Sequence, residues 1–203
     1  LPLAEKLGRV LSALVGEQSL SAVDVEVAGE IASLDVSALR LAALKGVFTD
    51  IVSEQVSYVN APLLADQRGV EARLTTTEHA ESYRNTVTVR AATAQGEQTS
   101  VTGTLTGPRQ VQKLVGVDRH EVEVPLADHL LIFTYADRPG VIGSLGQALG
   151  AQQVNIAGMD VSRDEDGTAL AVLTLDAGLQ PGTAEALGGA IGASRAAEVD
   201  LAG

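Results

Sequence analysis

Apolar residues at Leu3, Leu7, Val10, Leu11 and Leu14 recur with the spacing of one helix face, and Gly16 marks where that helix stops. The period then falls to two. In AVDVEVAG, Val23, Val25 and Val27 face one side while Asp24 and Glu26 face the other, as in a half-buried strand. Asp35 can cap a second helix whose buried face is Leu44, Val47, Phe48 and Ile51. A third helical piece starts near Asn60-Ala61-Pro62, with proline in its first turn, and Gly69 ends it. From Val70 alternation takes over. Thr86–Arg90 and Thr99–Leu105 read as strands around a turn at Gln95-Gly96, and Val111–Val117 and Glu121–Val124 read as two more. Helices followed by a run of strands predict an α+β domain over residues 1–125.

Pro125 to Asp128 reads as a short linker to a second domain, residues 126–203. Its elements are strand His129–Tyr135, helix Pro139–Gly150, strand Val154–Ser162, strand Thr168–Asp176, helix Thr183–Ile191 and strand Ala196–Leu201. An acidic turn, Arg163–Gly167, joins the middle strands. The order βαββαβ predicts a ferredoxin-like arrangement, so the whole chain is expected to be α+β in two domains.

Composition narrows the chemistry. There is no cysteine among the 203 residues, which removes disulfides, thiol nucleophiles, iron–sulfur clusters and cysteine zinc sites together. Three scattered histidines, His79, His120 and His129, make no convincing metal site. The formal net charge of −12 offers neither nucleic acid nor an anionic membrane the basic footprint it needs. No apolar run reaches the ~18 residues of a membrane span. The opening LPLAEKLGR has no initiator Met and no secretory signal. A cytoplasmic piece of a longer protein is therefore expected.

Candidate chemistry concentrates in Tyr135-Ala-Asp137-Arg-Pro139-Gly140-Val141-Ile142-Gly143, where a strand end runs into a helix start. Helix N-terminal amides favour a carboxylate, and Asp137 can take either those amides or a ligand ammonium. A small amino acid fits that pair of demands, and a mere cap with a proline-started helix is the other reading. The glycines at 140, 143 and 146 lack the G-x-G-x-x-G spacing of a dinucleotide fold, and glycines three apart on a helix mark close packing instead. Asn155 can either cap a turn or hydrogen-bond a ligand both ways. In the first domain Lys113, Arg119 and His120, with Asn60 at a helix start, can form an anion site or an ordinary solvated rim. The acids Asp164, Glu165 and Asp166 read as a solvated hairpin tip, and no nucleophile-elbow pattern supports a hydrolase triad.

With LAEKLGR, VDVEVAGEIA, LRLAALKGVF, YVNAPLLADQRG and SVTGTLTGP, the first section resembles the intervening, allosteric substrate-binding domain of long-form D-3-phosphoglycerate dehydrogenases. The second, ADRPGVIGSLGQALGAQQVNIAGMDVSR, is similar to an ACT domain. The resemblance, to the C-terminal regulatory part of that family, covers essentially the whole chain. It implies a feedback module for the first step of serine synthesis, the oxidation of 3-phosphoglycerate with NAD. The NAD site and catalytic residues would lie outside this chain, which itself would hold no cofactor. L-Serine would bind between paired ACT domains, using Tyr135, Asp137 and the backbone of Gly140, Val141, Ile142 and Gly143 from one subunit and Asn155 from its neighbour. Self-association as dimers, and tetramers in the parent enzyme, follows from the same resemblance. Tyr135 stands where many ACT domains carry Asn or His, which bears on ligand selectivity. A phosphorylated substrate or effector would meet Lys113, Arg119 and His120.

Three other readings compete. An L-serine dehydratase regulatory region pairs similar domains, but its Ser-Ser-His-Thr-like signature has no counterpart here. A free-standing ACT-type sensor and a purely structural oligomerisation module complete the set.

Overall fold

A computed structural model describes residues 1–202, and its contacts divide them into two units, Leu1–Asp118 and Arg119 onward. Both are α+β.

In the first unit, helix α1 (Pro2–Val15) and helix α2 (Ser37–Thr49) cross at two glycines. A Cβ on Gly8 would run into the carbonyl oxygen of Ala43, and one on Gly46 into that of Glu5. Close approach of two helix backbones thus requires the missing side chains. Two ion pairs flank the crossing, Arg9 Nε to Asp50 Oδ2 at 3.0 Å and Lys45 Nζ to Glu5 Oε1 at 2.6 Å. Leu44, Val47 and Phe48 are buried as the periodicity predicts. Ile51 is not: it is exposed, because α2 ends at Thr49, whose hydroxyl donates to the Lys45 carbonyl, and residue 51 leaves the helical phase. Asp35 does act at the helix start, its carboxylate accepting the Ser37 N–H at 3.0 Å.

Strand β1 (Leu20–Gly29) buries Val23, Val25 and Val27 completely, which is the period-two pattern realised. Its neighbours are β2 (Glu71–Thr77), parallel, and β3 (Asn85–Thr93), antiparallel. Strands β4 (Gln98–Thr106) and β5 (Val111–Val117) continue the sheet as antiparallel hairpins. Parallel pairing needs a crossover, and α2 with α3 (Ala61–Gln67) supplies it between β1 and β2.

The second unit begins with β6 (His120–Pro125), which packs on the strands that follow. Then come β7 (His129–Ala136), α4 (Val141–Ala151), β8 (Ile156–Arg163), β9 (Thr168–Leu175), α5 (Thr183–Ile191) and β10 (Ala193–Asp200). The sheet order β10-β7-β9-β8, antiparallel throughout, is the ferredoxin-like arrangement expected from βαββαβ. Leu131, Phe133 and Tyr135 of β7 meet Leu145 and Leu149 of α4 and Leu187 and Ile191 of α5 in one apolar core. Helix α4 starts two residues later than the proline suggests. Gly140 takes a left-handed φ of 94° as the residue before the first turn, and Pro139 lies in the approach. Gly143 and Gly146 do not serve close packing within the chain, since a Cβ on either would meet nothing within 4 Å.

Candidate effector pocket

The sharp turn between β7 and α4 brings Tyr135, Asp137 and the run from Arg138 to Gly143 around one pocket, and Arg163 closes its side. Its volume of about 310 Å³ is at the small end of the range for small-molecule sites. Tyr135 belongs to the core and reaches the pocket as its floor. Burial raises its phenol above the ordinary tyrosine value, and the nearby Asp137 carboxylate raises it further. Tyr135 therefore stays a neutral hydroxyl, able to donate and accept.

Asp137 is anchored through its backbone, its N–H donating to the Gly167 carbonyl at 2.8 Å. Its side chain makes no capping bond to α4. Instead Oδ2 accepts Arg163 Nε at 3.0 Å. Arg163 is a pocket residue that reasoning from the sequence missed. The signal lies in strand register: Arg163 pairs with Ala169, and Ala169 pairs with Tyr135, so the arginine sits two strands across from the pocket floor. Arg138 reaches away to the last turn of α5, donating to the Ile191 carbonyl at 2.8 Å.

Six of the seven residues expected to hold an effector thus line one cavity, and Asn155 does not. Asn155 precedes β8 at the end opposite Arg163, about 25 Å away at ~3.3 Å per strand residue. Its backbone is held by Asp176, whose Oδ1 accepts the Asn155 N–H at 2.9 Å.

Of the four residues of the candidate anion site, Arg119 and His120 meet at the Asp164 carboxylate. Asn60 closes its own turn, Oδ1 accepting the Ser57 N–H at 2.7 Å and Nδ2 donating to the Gln55 carbonyl at 3.0 Å. Lys113 is half-buried on β5 of the first unit. Arg119 belongs to the second unit and is paired with both Asp164 and Asp166. His120 is buried, with Nε2 3.5 Å from Asp164 Oδ2. The acidic turn is therefore a partner for Arg119 and more than a solvated tip. Among the described residues no group of acids and histidines could hold a metal ion, and no helix is long and apolar enough to cross a membrane.

The D-3-phosphoglycerate dehydrogenase intervening-domain model matches residues 1–118, and the ACT domain model matches residues 129–192. The chain belongs to the D-3-phosphoglycerate dehydrogenase family. It is similar to the D-3-phosphoglycerate dehydrogenase of Mycobacterium leprae, 39% identical over 202 residues, which are 99% of this chain and 38% of that protein. The dehydrogenase of Synechocystis is 34% identical over 90% of this chain and 33% of its own length. That of Bacillus subtilis is 29% identical over 88% of this chain and 34% of its own length. The chain thus spans little more than a third of these relatives. The resemblance read from the sequence, to the family's C-terminal regulatory part, stands.

Proposed function

We propose that this chain senses L-serine and transmits feedback inhibition to a D-3-phosphoglycerate dehydrogenase, which oxidises 3-phosphoglycerate with NAD in the cytoplasm. The observation that carries this reading is the pocket itself: a carboxylate, Asp137, stands beside a helix start with approachable backbone in a cavity sized for a small metabolite. An α-amino acid offers an ammonium to Asp137 and a carboxylate to the positive features around it. Two ACT domains would pair, and Asn155 of a second copy would complete each site, since in its own chain about 25 Å of strand separates it from Arg163, the partner of Asp137.

A ligand shifts an equilibrium only by its differential affinity for two states. Serine does so here if the paired ACT domains have two arrangements and one of them closes the pocket better. Linkage then makes the coupling reciprocal: substrate or cofactor bound elsewhere in the parent enzyme changes serine affinity by the same factor. The dehydratase reading gains nothing from relatives that carry the dehydrogenase name.

Titration calorimetry of the chain with L-serine, against glycine and L-threonine, tests the reading. Heat is expected with L-serine, and Asp137→Ala should abolish it. At a ligand concentration of 100 times Kd, binding should also stabilise the fold by about 2.7 kcal/mol in thermal unfolding. No heat and no stabilisation with L-serine would overturn the assignment.

A further inference from the structure

The acid lining the pocket, Asp137, is paired with an arginine. Asp137 Oδ2 accepts Arg163 Nε at 3.0 Å, and both side chains are partly exposed, Arg163 at 61% and Asp137 at 35%. Beside that pair Asp137 keeps further lone pairs, and Arg163 further N–H donors, for a ligand. An amine without an anionic group would meet Asp137 and leave those Arg163 donors unused. It would also face a pocket rim that carries two arginines, Arg138 and Arg163, against one aspartate. A simple carboxylate would meet Arg163 beside the like charge of Asp137. A zwitterion suits both groups, its ammonium going to Asp137 and its carboxylate to Arg163.

We infer that Arg163 is the specificity-determining residue that reads the effector's α-carboxylate while the neighbouring Asp137 takes its ammonium. The inference rests on the proposed amino-acid site and adds the group that demands a free carboxylate. Arg163 suits that task. It ends β8, so its backbone is held by the sheet, while the guanidinium is solvent-accessible and keeps further N–H donors beyond the one given to Asp137. The role is selective recognition, because Arg138, the other guanidinium of the pocket, is tied to the Ile191 carbonyl.

The test measures binding of L-serine and of L-serinamide, which keeps the ammonium and hydroxyl but has no carboxylate. Wild type should prefer L-serine by about tenfold or more, the loss expected for one charge-assisted hydrogen bond. In Arg163→Gln, L-serine should weaken by about tenfold or more and the preference should nearly vanish, with L-serinamide binding little changed. Arg163→Lys, which keeps the charge, should retain part of the preference and serves if the glutamine variant folds poorly. Wild-type preference persisting in Arg163→Gln would overturn the role of Arg163 while leaving the amino-acid site intact. Wild type binding neither compound would overturn the site itself, and this inference with it.

Discussion

Gly46 and Gly189 are both helical glycines, and what a methyl group would meet separates them. At Gly46 it would strike the Glu5 carbonyl oxygen of α1, whereas at Gly189 on α5 it would meet nothing within 4 Å. Gly46→Ala should lower the unfolding free energy by about 1–3 kcal/mol as α1 and α2 are forced apart. Gly189→Ala should raise it by about 0.5–1 kcal/mol by restricting the unfolded chain. Urea denaturation of the two variants checks both signs. The sequence alone could not tell these glycines apart, since the obstacle lies 41 residues away in the chain for Gly46. The same limit explains Arg163. Asp137 and Gly140 were legible because a strand end, a turn and a helix start are local, but the arginine that meets Asp137 arrives by strand pairing across the sheet. Arg119 was legible only as a charge. Its two aspartate partners lie in a turn 45 residues or more downstream, where no local pattern points to them.

Among the elements, the β8–β9 turn is tied to its surroundings by several bonds. The Asp164 N–H donates to the Thr168 carbonyl at 2.8 Å, and Asp166 Oδ1 accepts the Thr168 N–H at 2.9 Å. The Gly167 carbonyl accepts from Asp137, so the turn that follows Arg163 also supports the pocket's acid. The Thr168 bonds, with Arg119 adding to them, hold the Asp166 carboxyl below its ordinary value. A depressed acid contributes above its unfolded-state value and loses that contribution as pH falls through its folded value. The turn should therefore be insensitive to pH near neutrality and loosen below about pH 4. Nuclear magnetic resonance should show the Thr168 amide proton shifting in that acid range while the Ile132 amide in β7 holds. Asp166→Asn should abolish the shift, and a Thr168 signal that does not move in wild type would refute the assignment. Most elements were readable from hydrophobic period, because buried positions repeat at 3.6 or 2 wherever one face meets a core. The parallel β1–β2 pair was not, since nothing local distinguishes a parallel neighbour from an antiparallel one.

For the molecule as a whole, the placement of Asn155 at the end of β8 opposite Arg163 makes a prediction about two copies. If each serine site takes Asp137 from one chain and Asn155 from another, neither Asp137→Ala nor Asn155→Ala chains should bind L-serine alone. Mixing and re-equilibrating them should restore binding at one site per mixed dimer, because one of its two sites then has both residues intact. Calorimetric stoichiometry reads the outcome, and failure of the mixture to bind would place both residues' roles within a single chain or outside the site. The pocket has a second consequence, for how such sensors diversify. Eight of its nine lining residues belong to the single run 135–143, and the ninth is Arg163 at a strand end. The sheet and helices that hold this run are packed mainly by other apolar residues, with Tyr135, Val141 and Ile142 doing both jobs. Under the proposed reading, ligand preference rests on this short run, on Arg163 and on Asn155 of a second copy. Exchanging those few positions between related domains could transplant a taste for one amino acid into another without rebuilding the scaffold.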